Sequence, residues 1–197
     1  MSRRFPMIMT VRGGPRRDGC SGRMLRLFAD ELDAAFAEYD AYEENFAPCT
    51  DCRACRQSEG CAMDDMDGFF SDFESCDGIV IASPVYNMTF PAPMKAVIDR
   101  MQRYYSARFF LGKRPPIPKR RPVALLLSAG SPDEDGGMIV EQLRRIFTVT
   151  NCELVCNVIV NNTDDSDALS GTEHDIRQKA RIFAESVNSI TDSSQYS

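Results

Sequence analysis

Four of the chain's eight cysteines, Cys49, Cys52, Cys55 and Cys61, fall in one short segment and form C-x2-C-x2-C-x5-C. Thiols stepped every three residues along a tight loop can turn toward one compact centre, as in the ferredoxin loops that hold a [4Fe-4S] cluster. Zinc sites more often use two C-x2-C knuckles separated by a longer spacer, so the spacing ranks an iron-sulfur cluster ahead of zinc. Eight cysteines in 197 residues are too few for a disulfide scaffold, and their crowding points to metal or redox chemistry.

A second chemical feature is the glycine-rich run Gly13-Gly-Pro-Arg-Arg-Asp-Gly-Cys-Ser-Gly22. Such a turn at the start of a helix offers backbone N–H groups and the positive end of the helix dipole to a phosphate, with Arg16 and Ser21 placed to add direct contacts. It lacks the Gly-Lys-Ser/Thr ending of a nucleoside triphosphate loop and is not a GxGxxG dinucleotide fingerprint. A third is Ser83-Pro-Val-Tyr-Asn-Met-Thr-Phe90, a proline turn bearing Tyr86, Met88 and Phe90 that suits a flat aromatic ligand. The basic segment Lys113 to Arg121 reads as a solvated extended loop, or as a landing site for a nucleotide phosphate.

These features need a frame that brings them together. Short apolar runs alternate with helical patterns, the signature of βαβ units around a parallel sheet. Strands are expected at Met7 to Arg12, Tyr39 to Tyr42, Gly78 to Ser83, Val123 to Ala129 and Leu154 to Val160. Met24, Leu27, Phe28, Leu32 and Phe36 share one helical face after the first strand. Met66 to Cys76 predicts a further helix capped by Asp64 and Asp65. A last helix is expected from about Thr172 to Ile190, entered by the loop Asn161 to Ser170. The reading is one α/β domain over residues 1–190, with a frayed tail over 191–197. It is a flavodoxin-like three-layer sandwich whose five-stranded parallel sheet has the order 2-1-3-4-5. The loops after strands one, three and four then emerge on one edge.

At Ser83, Pro84, Tyr86, Asn87, Pro91, Lys95 and Asp99 the chain closely resembles the NAD(P)H-dependent FMN reductase superfamily, and the resemblance extends over roughly residues 7 to 147. It implies an FMN oxidoreductase, with flavin contacts from Ser83, Pro84, Val85, Tyr86, Asn87 and Met88. Further contacts are implied from Gly13, Gly14, Arg16, Cys20 and Ser21, and from Ala129, Gly130, Gly136 and Gly137 at the pyrimidine edge. Gly14 stands where the family usually has serine and Cys20 where asparagine is common, so two side-chain contacts to the phosphate are missing or are replaced by backbone ones. The four-cysteine loop, followed by Asp64-Asp65-Met66, resembles the iron-sulfur flavoproteins of that superfamily. Similar cysteines elsewhere in the superfamily are free thiols, or pair as disulfides in isolated material. The implied donor is NAD(P)H or a reduced ferredoxin-like protein, the acceptor a redox small molecule or protein, and the assembly a homodimer or homotetramer.

A net charge of -6 argues against nucleic acid as a partner. No apolar run approaches the length of a membrane span, and a cytoplasmic setting is expected. Cys152 and Cys156 are spaced to share one side of the fifth strand and read as structural, like Cys20 in its loop. His174, the single histidine, reads as a surface residue. Arg100, Arg103, Tyr104 and Tyr105 could border the flavin or a subunit contact, and the aromatics from Tyr104 to Phe110 are expected to be exposed. No side chain is expected to act as acid, base or nucleophile, because a flavin carries its own chemistry. The remaining alternatives are a flavodoxin-like electron carrier and a zinc-stabilised α/β binding module without flavin.

Overall fold

The computed structural model describes residues 5–134, 136–164 and 168–193. Strands β1 (Met7–Arg12), β2 (Ala35–Asp40), β3 (Gly78–Pro84), β4 (Arg121–Ser128) and β5 (Cys152–Val160) form a parallel sheet in the order β2-β1-β3-β4-β5. Helices α1 (Cys20–Ala29) and α6 (Glu173–Ser193) cover one face. Helices α2 (Asp67–Ser75), α3 (Ala92–Arg100), α4 (Gln102–Phe109) and α5 (Gly137–Thr150) cover the other. The two-residue period of a strand divides the core between the faces. Met9, Val11, Ile79, Ile81, Val123, Leu125 and Leu127 pack under α2, α3 and α5, while Ile8, Val80, Ala82, Ala124 and Leu126 pack under α1 and α6. Strand β4 is buried at every position, as a strand covered on both faces should be.

The second strand lies earlier than its residues suggest. Leu32 and Phe36 continue the helical spacing of Met24 and Phe28, yet α1 ends at Ala29 and Phe36 belongs to β2. Both still reach the α1/α6 core, from a turn and a strand respectively, so the spacing imitates a helix. Tertiary contacts override it. Glu31 pairs with Arg177 at 2.8 Å and Arg181 at 3.0 Å on α6, and the Ala35 N–H donates to Pro6 O, opening the register Met7 with Ala35. Helix α6 reaches Ser193, so residues 191–193 are helical rather than part of a frayed tail; 194–197 lie outside the described residues, as do Asp135 and residues 165–167 of the expected loops.

Cys152 and Cys156 do not share a side. An irregularity in the β4/β5 register between Val123 and Ala124 makes Leu154 and Cys156 their respective partners, so β5 carries one extra residue and its parity reverses. Cys152 packs on the α5 side and Cys156 in the α1/α6 core.

Burial pushes the Cys76 thiol up to about 12 and Cys156 up to about 11, from an ordinary 9.0. The three-unit gap at Cys76 (12 − 9.0) makes its thiolate about a thousandfold rarer near pH 8. In the folded protein stripped of metal, a thiol reagent at pH 8 should modify the exposed Cys49 and Cys52 and spare Cys76 and Cys156 until the chain unfolds. These two raised values stabilise the fold fully below pH 9.0, and the contribution is lost as pH climbs toward 11–12. Urea midpoints should therefore decline above pH 9; midpoints flat to pH 11, or rapid native labelling of Cys76, would show these thiols to be open.

Candidate functional site

The carboxyl ends of the strands bring four loops to one edge. The Gly13 N–H donates to Ala82 O at 2.8 Å, the Val85 N–H to Ser128 O at 2.8 Å, the Ala129 N–H to Val160 O at 2.8 Å and the Thr163 N–H to Ala129 O at 3.1 Å. This ladder fastens each loop to its neighbour and leaves a cleft above it. Gly14, Pro15, Arg16, Gly19, Cys20 and Ser21 line the cleft from the first loop, Pro84, Val85 and Tyr86 from the second, and Ser128 and Gly130 from the third. Thr163 and Asp164 complete it from the loop after β5. Sequence reading missed these two, although a parallel sheet delivers the end of β5 to the same edge as the ends of β3 and β4. Outside the cleft lining, burial and then Tyr86 raise the pKa of Tyr42.

Glycines make the close packing possible. A Cβ on Gly13 would lie 2.7 Å from Ser83 Oγ, and one on Gly14 would lie 2.9 Å from Pro84 Cδ. Gly13 and Ser83 are therefore buried behind the cleft, and the Ser83 hydroxyl donates to Pro84 O at 2.9 Å. The departure at Gly14 has a local reason, since the proline ring of the second loop occupies the space a side chain would need. Helix α1 begins in the cleft. Its N-cap is Gly19, no side chain caps it, and its first turn carries no acidic residue. The buried Ser21 hydroxyl and the exposed Arg16 stand beside that end. Uncapped N–H groups, a hydroxyl and a guanidinium are a donor set for a phosphate monoester.

The second loop closes in a tight turn in which the Tyr86 and Thr89 N–H groups donate to each other's carbonyls at 2.9 and 3.0 Å. Asn87 and Met88 hold φ of 51° and 64°, a conformation that costs a methionine energy and that surrounding structure must impose. Asn87 and Met88 are exposed at its tip and do not line the cleft, whereas Tyr86 does. Of the third-loop residues, Gly130 lines the cleft and Ala129 is buried beneath it. Gly136, at φ 64°, caps α5 and packs against Leu127 and Ile159; Gly137 begins the helix, and neither lines the cleft.

The four cysteines line a separate pocket that shares no residue with the cleft. Asp51 and Arg53, at φ of 50° and 62°, turn the chain between successive cysteines. Cys49 and Cys52 are exposed, Cys55 and Cys61 half-buried, and Cys55 Sγ donates to Ser106 Oγ on α4 at 3.3 Å. Among the described residues no three acidic, histidine or cysteine side chains close on a single ion. Four thiols around one pocket are a donor set of the kind that an iron-sulfur cluster or a zinc ion uses.

Arg100, expected near the flavin or a subunit contact, lies under this loop instead, with a fully buried side chain. Its Nη1 donates to Ala47 O at 2.9 Å and its Nη2 to Met63 O at 3.1 Å, and both also contact the Asp65 carboxylate at 3.1 and 2.8 Å. Burial opposes the charge on Arg100, yet Asp65 and Cys61 more than offset it and raise its pKa. Asp65 is held below the usual carboxylate range chiefly by Arg100. It therefore does not cap α2, whose N-cap is Met66 with no side-chain cap. Tyr104 is buried with its hydroxyl donating to Glu74 at 2.9 Å, and only Tyr105, Phe109 and Phe110 of the expected aromatics are exposed. The basic segment precedes β4, at the opposite edge of the sheet from the cleft. There Lys113 pairs with Glu59, Lys119 with Asp77 and Arg120 with Glu153, while Arg121 is buried against the carbonyls of Phe73 and Thr150. His174 is exposed.

The model of the family described as NADPH-dependent FMN reductase matches residues 6–163. An iron-sulfur flavoprotein of Methanosarcina thermophila is 45% identical over 101 residues, 47% of this chain and 51% of that protein. Another from Archaeoglobus fulgidus is 30% identical over 140 residues, 68% of this chain and 60% of that protein. The matches thus span between half and three fifths of those relatives. Among solved structures, an NAD(P)H:quinone oxidoreductase from Methanothermobacter marburgensis superposes with a TM-score of 0.69 at 20% identity, covering 90% of this chain and 96% of that one. An FMN-dependent NADH-azoreductase from Bacillus anthracis, solved with FMN, gives 0.66 at 13% identity over 90% of this chain and 99% of that one. At these identities the structural likeness speaks to the fold.

Proposed function

The chain belongs to the NADPH-dependent FMN reductase family, and from that premise we propose that it is an FMN-dependent oxidoreductase whose four-cysteine loop carries a [4Fe-4S] cluster. The observation that carries the reading is the meeting of the loops after β1, β3, β4 and β5 around the uncapped start of α1. When bound, the flavin supplies hydride and single-electron exchange, and the cluster supplies single-electron exchange.

The chain's part is to bind, orient and tune. The first turn of α1, Arg16 and Ser21 hold the phosphate; Ser128, Thr163 and Asp164 offer polar partners to the ribityl hydroxyls. Pro84, Val85 and Tyr86 form one wall for the ring, and Gly130 admits its polar edge. Cys49, Cys52, Cys55 and Cys61 ligate iron. The names of the iron-sulfur flavoproteins support the cluster, and the donor set fits it.

The electron donor in this proposal is NAD(P)H or a reduced ferredoxin-like protein, and the acceptor a redox small molecule or protein. The exposed Tyr105, Phe109 and Phe110 suit a subunit contact in a homodimer or homotetramer. Free thiols throughout suit a reducing, cytoplasmic setting, and no described helix is long and apolar enough to cross a membrane.

Anaerobic purification followed by an absorption spectrum and assay of released flavin, iron and sulfide tests both cofactors on one sample. Expected are flavin bands over a broad iron-sulfur shoulder, about one FMN and four iron atoms per chain, and loss of the shoulder with retained flavin in Cys52→Ser. Flavin without iron in the wild type leaves a plain FMN reductase, and no flavin after added FMN overturns the reading. Steady NAD(P)H oxidation with a quinone separates an enzyme from an electron carrier.

A further inference from the structure

The pocket under the four cysteines contains a charge that the ligand set does not account for. Arg100 leaves α3 with its side chain fully buried, and four of its hydrogen bonds go to residues flanking the cysteine segment. Ala47 precedes Cys49, and Met63 and Asp65 follow Cys61, so one guanidinium ties the two ends of the loop together. Its planar fork suits this, since two nitrogens can each serve a carbonyl and a carboxylate oxygen.

The fork leaves one donor over. Arg100 Nε is buried and has no hydrogen-bond partner. A buried N–H without a partner costs about 1–3 kcal/mol, so its persistence calls for an acceptor. Arg100 lines the pocket together with the four cysteines, and the residues its fork holds on the far side of the loop, Met63 and Asp65, follow closely on Cys61, the cysteine this anchors nearest to the guanidinium along the chain. The compensating carboxylate is on the other side, since both Asp65 oxygens are taken by Nη1 and Nη2.

We infer that Arg100 is a positioning residue of the four-cysteine centre: it closes the loop through its fork and gives its remaining N–H to a sulfur of the centre at Cys61. The inference rests on the reading that the loop holds an iron-sulfur cluster. Two consequences are separable. The clasp preorganises four thiols whose loop otherwise contains left-handed residues and a single helical turn, Ala54–Arg56. The cation and its hydrogen bond to sulfur favour the more negative, reduced cluster and raise its potential. Arg103 lines the same pocket but is spent on Glu74 at 3.5 Å and on the ring face of Phe70 at 4.3 Å, so it does not duplicate the role.

The test uses the full chain, reconstituted under argon with FMN, iron and sulfide. Iron affinity is read by chelator competition and the cluster potential by equilibration with redox dyes. Arg100→Gln should lower iron affinity about 10- to 100-fold, the usual cost of losing an outer-sphere partner, and shift the potential of the remaining clusters to more negative values. Arg100→Lys, which keeps the charge but not the fork, should recover the potential in part and the affinity poorly. Bound flavin per chain reports folding in each variant.

Should Arg100→Gln fail to fold, Asp65→Asn keeps Arg100 and removes the charge that neutralises it, and a positive shift is expected. Wild-type potential and affinity in Arg100→Gln, lowered affinity at an unchanged potential, or no shift in Asp65→Asn would each overturn the sulfur contact. A wild-type chain that binds FMN and no iron would defeat the cluster reading itself.

Discussion

A Gly22→Ala variant should keep its fold and lose most of its affinity for FMN, by about 100-fold. Gly22 sits in the first turn of α1, where an added Cβ would overlap the Arg17 carbonyl oxygen and lie 2.9 Å from its carbon. The obstacle is backbone, so no side-chain rotation can relieve it, and residues 15–19 must move away from the helix start. That segment carries Arg16 and the N-cap Gly19, which set the phosphate seat. Displacing one or two charge-assisted hydrogen bonds, each worth about 1.5–3 kcal/mol, gives the stated loss, since about 1.4 kcal/mol is tenfold. The hydrophobic face of α1 is untouched: Met24 and Phe28 stay buried. Fluorescence titration of the apoprotein with FMN reads the affinity, and a urea curve reads the fold. Wild-type affinity in a folded Gly22→Ala chain would mean the flavin phosphate sits elsewhere.

Phe183→Ala should be the most destabilising single truncation on the α1/α6 face, by about 3–5 kcal/mol. Its ring is fully buried, meets Phe28 edge-on with centroids 5.6 Å apart, and lies over Gly78. A Cβ on Gly78 would be 2.7 Å from the Phe183 ring, so the glycine at the start of β3 is the hollow into which the ring fits. The cavity left by alanine cannot refill, because Ile8, Val187 and Phe28 are themselves fixed by the sheet and two helices. Against a total stability of about 5–15 kcal/mol, a loss of this size leaves a chain that unfolds at much lower urea. A midpoint change worth less than about 1 kcal/mol would show that α6 does not clamp the sheet as described.

The gain from FMN follows from mass action. Ligand at about 100 times its Kd adds about 2.7 kcal/mol to a chain that binds it only when folded. The Phe183→Ala chain should therefore be rescued in part by FMN, and the Gly22→Ala chain, its Kd raised about 100-fold, should gain only about 0.4 kcal/mol at the concentration that gives the wild type about 2.7 kcal/mol. The two variants thus separate a damaged site from a damaged fold.

Much of this was legible from residues alone, and the reason is physical. β1, β3 and β4 are runs of apolar residues that only a strand covered on both faces can bury. Parallel pairing then sends their loops to one edge whatever the side chains are. The glycine-rich loop, Tyr86 and Gly130 could be placed at a common site because that geometry follows from topology. The C-x2-C-x2-C-x5-C spacing likewise limits four thiols to one compact loop.

Long-range packing decided the rest. Residues Leu32 and Phe36 keep a helical interval, and only the ion pairs of Glu31 with α6 and the pairing of Ala35 with β1 turn that stretch into an edge strand. A bulge that no local signal announced turned Cys152 and Cys156 to opposite faces. Thr163 and Asp164 joined the cleft through a backbone bond to Ala129. The basic run before β4 is directed away from the cleft by its position at the opposite edge. Arg100, which read in sequence as a residue bordering the flavin or a subunit contact, became the clasp of the cysteine loop because the fold brings residues 47, 63 and 65 around it. Residue type and spacing specify which chemistry a chain can hold; where each charge finds its partner is a property of distances that only the folded sheet and its helices create.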